Sequence, residues 1–329
     1  MAMQAVVQSG AGGVETLRLD VVEKPEPAAG QLRVRVLAAG INRADIVQRE
    51  GNYPPPKGAS PILGLEIAGV VDAVNGPSRF QEGDAVFGLI AGGGYAEFAL
   101  LDSSAAIPKP DMMSWAEAAS LPEAWMTAWF NLVEVAQLRA GETVLIHAGA
   151  SGVGAAAIQL AAMLGCRVIA SAGSEEKRTW CRSLGADEVI DSRQPGFASY
   201  IKEQGGVDVV LDPVGASLFD DNVAVLKQDG RLVLIGVMGG MQGNLNLGLL
   251  LVKRLKIIGS TLRSQPEAVK ARLAAALEQQ VLPALLDGRA QVTLDSIYPL
   301  AAVADAHHYM EENRNLGKVV LNLMPVVTA

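Results

Sequence analysis

Hydrophobic and polar positions follow two rhythms along the chain. From about residue 143 to 262, short apolar runs alternate with longer segments whose apolar positions recur every three or four residues. The former read as buried strands and the latter as helices. "VLIHAGASGVGAAAIQLAAMLG" (144–165) opens the series with a strand, a loop of small residues and a helix. "CRVIAS" (166–171), "ADEVID" (186–191), "VDVVLDPVG" (207–215), "RLVLIGVMGG" (231–240) and "KRLKIIGSTL" (253–262) supply five more strands. "EEKRTWCRSLG" (175–185), "FASYIKEQ" (197–204) and "LFDDNVAVLKQDG" (218–230) read as intervening helices. Six strands in this alternation predict a doubly wound parallel sheet.

The first 120 or so residues read differently. "QAVVQ", "QLRVRVLAAGI", "EIAGVVDAV", "DAVFGLI" and "GYAEFALL" are punctuated by "KPEPAAG", "YPPPKGASP" and "EGD", a β-rich, barrel-like pattern with turns at Pro and Gly. "SWAEAASLPEAWMTAWFNLVEVA" (114–136) is helical and interrupted by Pro122. After residue 262 come a helix, the strand "QVTLDSIYPL", the helix "AAVADAHHYMEE" and the strand "GKVVLNLMP". The expected organisation is an α/β protein in which 1–122 and 263–329 form one domain and 123–262 a Rossmann domain inserted between its halves.

The small-residue loop supplies the first candidate chemistry. Bare N–H groups at a helix N-terminus and the positive end of its dipole favour an anion, and low side-chain bulk lets a pyrophosphate approach. Gly149, Gly152 and Gly154 give G-x-x-G-x-G, with Ser151 where a middle glycine is usual, so the loop also reads as a tightly packed strand-helix connection. An NAD site places Asp or Glu at the end of the second strand. Here "SAGSEEK" has Gly173 and Ser174, no acid before Glu175, and Lys177 in the first helical turn, a set that suits a 2′-phosphate. Its alternative reading is an N-cap followed by surface charges.

Composition removes other classes. A chain of 329 residues, 50% hydrophobic, has ample core for two domains, and a net charge of −8 without basic runs argues against nucleic acid. "MAMQAVVQSG" lacks a secretory leader's pattern and no long apolar stretch predicts a membrane span, so a soluble cytoplasmic protein is expected. Cys166 and Cys181 are the only cysteines and read as core thiols. Of three histidines, adjacent His307 and His308 diverge on a helix and are expected at the surface, while His147 ends the first Rossmann strand. No metal set is visible.

Six stretches carry a resemblance that covers nearly the whole chain: "AAGINRADIVQREGNYPPPKGASPILGLEIAGVV" (38–71), "QEGDAVFGL" (81–89), "GGYAEF" (93–98), "LPEAWMTAW" (121–129), "VLIHAGASGVGAAAIQLA" (144–161) and "NLGKVVL" (315–321). The chain resembles the medium-chain dehydrogenase/reductase superfamily. Within it, it resembles the zinc-free quinone oxidoreductases, and most of all the tumour-suppressor-inducible type of NADPH quinone oxidoreductase. Its first domain would then be GroES-like and catalytic. Where zinc alcohol dehydrogenases carry a metal-binding Cys this chain has Asn42, and where they have Gly-His-Glu it has Gly64, Leu65 and Glu66. Their structural zinc loop has no cysteine counterpart in the residues after about 90.

The resemblance implies NADPH bound across the domain cleft and used to reduce quinones or enones, since an electrophilic conjugated acceptor needs no Lewis acid. His147, Ala148, Gly149, Ala150, Ser151, Gly152, Val153 and Gly154 would surround the pyrophosphate; Gly173, Ser174 and Lys177 the 2′-phosphate, with Ser192 where relatives commonly have Tyr. Gly236, Val237 and Met238 would pass the nicotinamide, Thr127 would bind its ribose or amide, and Asn315, Gly317 and Lys318 the cofactor's outer edge. Asn42, Tyr53 and Ser151 are the expected acceptor-pocket residues, with a neutral donor meeting the oxyanion; Tyr53 and Asn42 have rival readings as turn residues. Asp45 and Glu66 are expected to be structural, and Arg263 either lines the pocket or ends the sixth strand. The alternatives are an enoyl-thioester or alkenal reductase, and an NADPH-binding structural or regulatory protein. A homodimer through the sixth strand's edge is expected.

Overall fold

In "QLRVRVLAAGI", Leu32, Val34 and Val36 turn into a core while Arg33 is half-buried and Arg35 faces out. This alternation builds the longest strand of a computed structural model that describes residues 1–194 and 196–324. Contacts divide the chain into two units, Met1–Met126 with the chain from Arg263 onward, and Thr127–Leu262.

The first unit is a seven-stranded sheet. Its order is Leu294–Pro299, Lys318–Asn322, Gln31–Ile41, Glu66–Asn75, Ala85–Leu89, Ala106–Pro108, with Phe98–Asp102 also paired to Gln31–Ile41. All pairings are antiparallel except that of Leu294–Pro299 with Lys318–Asn322. Leu32, Ile41, Ile67, Val86, Leu101 and Val319 belong to its core. Val319 lies opposite Ile41, which sets Lys318 beside the end of the longest strand. Ala2–Gln8 and Leu17–Glu23 form a separate antiparallel pair.

The second unit has six parallel strands ordered Glu188–Asp191, Arg167–Ala172, Thr143–Ile146, Val207–Asp212, Leu226–Leu234, Lys256–Gly259. Numbered along the unit this order is 3-2-1-4-5-6, the doubly wound arrangement, with loops at the strands' carboxyl ends available to a ligand. Leu145, Ile169, Val210 and Leu232 are in its core.

Three elements differ from expectation. The helix expected over 218–230 ends at Val225, because Leu226 is buried opposite Val207 and the chain is already a strand, irregular at Asp229 with φ +62°. Leu247–Lys253 is an additional helix, capped by Asn246 Oδ1, which accepts from Leu249 N at 2.9 Å; it leaves the sixth strand only Lys256–Gly259. The 114–136 segment becomes Trp115–Ala119, Pro122–Trp129 and a wider turn over Phe130–Val135, with Pro122 opening the second helix rather than interrupting one. Among the described residues no helix is long and apolar enough to cross a membrane.

Candidate functional site

In the parallel-sheet unit the site starts where Thr143–Ile146 gives way to the helix Gly152–Met163. Ala148 adopts φ +51°, Ser151 N donates to Ala148 O at 2.9 Å, and Ser151 Oγ accepts from Gly154 N at 3.0 Å. Gly154 permits this turn, since a Cβ there would lie 2.3 Å from Ala148 O. The first-turn N–H groups of Gly152 and Val153 have no helix carbonyl within reach and are the donors such a loop offers an anion. Ser151 is therefore a helix cap in this unit, with its hydroxyl oxygen already engaged.

At the end of Arg167–Ala172, Ser174 Oγ accepts from Lys177 N at 3.2 Å and caps the next helix. Two acids nearby are already paired: Glu175 with Arg178 and Arg182, Asp191 with Arg178. Ser192 N donates to Ala172 O at 3.2 Å, and Arg193 brings its guanidinium over Gly173, whose Cβ position lies 3.0 Å from Arg193 Nε. Arg193 went unrecognised in the sequence; the cation that follows "ADEVID" was the available signal.

His147 is buried with both ring nitrogens engaged. Asn222 Nδ2 donates to Asp212 Oδ2 at 2.9 Å, so Asn222 Oδ1 faces His147 Nε2 at 2.7 Å as acceptor, and Ser171 Oγ donates to His147 Nδ1 at 2.9 Å. Burial pushes the imidazole below its ordinary pKa and keeps it neutral. Asp212 also accepts from Val214 N and Gly215 N, so His147 braces the loop after the fourth strand through Asn222. Gly236 approaches that loop closely, its Cβ position 2.7 Å from Pro213 O, while Val237 and Met238 are exposed. Thr127 Oγ1 is buried without a hydrogen-bond partner, a site that a bound polar group would satisfy. The orphaned hydroxyl and the glycine cradle fit a dinucleotide.

The other unit contains a buried polar cluster. Lys318 Nζ donates to Ile41 O at 3.0 Å, Asn42 Oδ1 at 2.6 Å and Glu66 Oε1 at 2.5 Å. Asn42 Nδ2 donates to the same Glu66 oxygen at 2.9 Å, leaving one amide hydrogen, and Glu123 N donates to Glu66 Oε2 at 2.8 Å. Asp45 accepts from Asn42 N and Gly64 N at 2.8 and 2.9 Å; burial pushes its carboxyl up to about 6. The ammonium of Lys318, a residue expected at the cofactor's edge, is thus turned into this cluster. Asn315 Nδ2 bonds to Gly317 O at 2.7 Å, and Gly317, at φ +93°, passes Thr293 O too closely for a side chain.

This donor set does not fit zinc. Asn42 stands where zinc alcohol dehydrogenases carry a metal-binding Cys and Leu65 where their Gly-His-Glu has His, and the Lys318 ammonium already binds Asn42 and Glu66, so a divalent cation would meet a like charge. Among the described residues no group of three or more His, Cys, Asp or Glu side chains could hold a metal ion. Cys166 and Cys181 are buried free thiols, Cys181 pushed up to about 12 by burial.

Beside the cluster, the Arg263 guanidinium lies over the Tyr53 ring, 5.4 Å from its centre, and donates from Nε and Nη2 to Ala91 O at 2.9 and 2.7 Å. Its Nη1 is buried without a hydrogen-bond partner. Burial raises the Tyr53 pKa, so its hydroxyl keeps its proton. Glu123 was not singled out in the sequence; burial and the neighbouring Glu66 push its carboxyl up to about 8.

His307 corrects an expectation. It is fully buried on the inner face of Val303–Glu311, whereas His308 is exposed and paired with Glu312. Arg49 Nη1 donates to His307 Nδ1 at 3.3 Å, so Nε2 carries the proton toward the Tyr95 hydroxyl at 3.2 Å. Adjacent helical residues diverge, as expected, but one of the two directions is inward.

Residues 28–111 match the family described as alcohol dehydrogenase GroES-like domain, and residues 152–279 match the family described as zinc-binding dehydrogenase. A mycocerosic acid synthase-like polyketide synthase of Mycobacterium tuberculosis is 34% identical over 321 residues, 95% of this chain, but the chain spans only 15% of that relative's length. Among solved structures, an NAD-dependent alcohol dehydrogenase aligns with TM-score 0.87 and 34% identity over 98% of this chain and 100% of its own. Mycobacterial Rv1454c complexed with NADPH aligns with TM-score 0.88 and 31% identity over 98% and 100%. The CurK enoyl reductase aligns with TM-score 0.85 and 30% identity over 98% and 99%.

Proposed function

We propose, from the premise that this chain belongs to the medium-chain dehydrogenase/reductase superfamily of oxidoreductases, that it reduces quinones and related conjugated carbonyl compounds with NADPH and without zinc. The observation that carries this reading is the Lys318 ammonium bonded to both Asn42 and Glu66. An alcohol substrate would need a Lewis acid to stabilise its alkoxide, whereas a quinone or enone is already electrophilic.

When bound, NADPH supplies the hydride. The chain's own part is to hold it and to receive the charge that develops on the acceptor. Residues 147–154 hold the pyrophosphate, and Gly173, Ser174 and Lys177, with Arg193 beside them, hold the 2′-phosphate where Glu175 and Asp191 are already paired with arginines. Thr127 offers its unpartnered hydroxyl to the ribose or amide of the nicotinamide half, Gly236, Val237 and Met238 pass beside it, and Asn315 and Gly317 meet the outer edge. The Tyr53 hydroxyl and the remaining Asn42 amide hydrogen are neutral donors for the acceptor's oxyanion.

A second reading, reduction of an enoyl thioester, draws on the polyketide synthase relatives and on the CurK enoyl reductase. The experiment is NADPH oxidation with benzoquinone, phenanthrenequinone and a crotonyl thioester in parallel, with NADH and EDTA controls. Quinone turnover that prefers NADPH and ignores EDTA is expected. Turnover of the thioester alone moves the acceptor class to enoyl thioesters, and no turnover with any of the three overturns the reading.

A further inference from the structure

We propose that Glu123 is the group that gives the reduced acceptor its proton; this rests on the reading of the chain as a reductase of conjugated carbonyl compounds.

Glu123 lies in the first turn of Pro122–Trp129, and its backbone N–H holds Glu66 Oε2 at 2.8 Å. Glu66 is fully buried and fully used, with Oε1 receiving Lys318 Nζ and Asn42 Nδ2. The one ammonium in the cluster is therefore committed to Glu66, and the second carboxyl beside it has no cation of its own. Arg263 does not supply one: two of its nitrogens are bonded to Ala91 O and its plane lies over Tyr53. Two carboxyl groups sharing such a place do not both ionise, and the proton settles on the one without a partner.

The charged and titratable groups facing Glu123 are Glu66, Asp45, Lys318, Arg263 and Tyr53. Burial and Glu66 outweigh the two cations and push Glu123 up to about 8, so at neutral pH it is an acid with a proton to give. Among the described residues its carboxyl oxygens form no hydrogen bond or ion pair, and the side chain is only partly buried, so this proton is neither locked away nor out of reach. Tyr53, the other hydroxyl nearby, is a weaker acid than usual and serves as a hydrogen-bond donor, not a proton source. The roles divide accordingly.

When bound, NADPH would supply a hydride with its electron pair to the acceptor, which would leave an enolate or a hydroquinone anion for Glu123 to protonate. The Glu123 O–H bond breaks, a new O–H or C–H bond forms on the acceptor, and the carboxylate left behind takes a proton from water. The acceptor is reduced by two electrons and the cofactor oxidised by two. The acid form is required, so turnover is full below the Glu123 pKa and is lost as pH rises through it.

The test compares the wild-type chain with Glu123→Gln and Glu123→Asp. Against the best acceptor, Glu123→Gln should lower kcat by about 100-fold with little change in KM, and abolish the alkaline limb near pH 8; a positioned general acid contributes roughly 100- to 10,000-fold. Glu123→Asp should recover part of kcat and retain an alkaline limb. Infrared titration of the cofactor-free protein should show a protonated carboxyl band lost near pH 8 and absent from Glu123→Gln. Wild-type turnover with an unchanged kcat and alkaline limb in folded Glu123→Gln overturns the proposal alone, as does an unaltered band. Absence of wild-type turnover with every quinone and thioester overturns the underlying reading instead.

Discussion

Lys318 donates to Asn42 Oδ1 across 2.6 Å, joining residues 276 positions apart in a place with almost no access to water. The same ammonium neutralises Glu66, so the cluster holds together only while the cation is present.

Lys318→Met should therefore strand a buried carboxylate. Removing one partner of a buried ion pair costs about 3–5 kcal/mol, while replacing both by apolar groups can be close to neutral. Urea unfolding of Lys318→Met, Glu66→Leu and the double variant should show the double less destabilised than the sum of the singles. Additive losses would mean that the two groups do not depend on each other.

The choice of cofactor should be readable at Arg193. With Glu175 and Asp191 paired to arginines, the Arg193 guanidinium lies over Gly173, on the strand end proposed to meet the ribose. Arg193→Ala should raise KM for NADPH by about tenfold, the scale of one charge-assisted hydrogen bond, and leave KM for NADH nearly unchanged. Equal effects on both cofactors would place Arg193 outside the 2′-phosphate site.

Much of this was legible in the sequence because it is local. The alternation after residue 143 predicts the parallel sheet, and Gly154 is required by its own turn, where a Cβ would strike Ala148 O. What was not legible depends on pairing across the chain. Nothing in "NLGKVVL" says that Lys318 turns toward Glu66, because that follows from Val319 lying opposite Ile41. Glu123 looks like an ordinary first-turn acid until its backbone is found on Glu66. His307 and His308 are alike in the sequence, and only packing against Tyr95 and Arg49 separates them.

His307 should appear in the acid limb of the stability curve. Burial, and then the charges of Arg49 and Arg43, push it down to about 3, while the unfolded chain protonates near the ordinary 6.5. Between these values the unfolded state binds the extra proton, so stability falls as pH drops from 6.5 toward 3, by at most about 1.4 kcal/mol per pH unit for one group. Asp45 acts oppositely over part of this range: its carboxyl is raised to about 6, so its contribution is present at low pH and lost as pH rises from its ordinary 3.8 to 6. His307→Gln should thus be less sensitive to acid than the wild type in urea unfolding between pH 6.5 and 4. Parallel curves would show that the histidine is not neutral in the folded protein.

A second copy of the chain should cover the edge of the parallel sheet. Among the described residues Lys256–Gly259 pairs with Leu226–Leu234 alone and its other side is open, an arrangement that invites strand addition. The adjacent helix Leu247–Lys253 exposes Leu247, Leu251 and Val252 at 68%, 76% and 70%, an apolar face that a monomer would present to water. A two-fold dimer formed across the open edge would bury both features at once, since the same patch on each copy meets its own image. Leu251→Glu would place a charge in that patch without touching the sheet's internal pairing. Sedimentation at micromolar concentration should show a dimer for the wild type and a shift toward monomer for Leu251→Glu; a monomeric wild type would mean that this edge stays unpaired in solution.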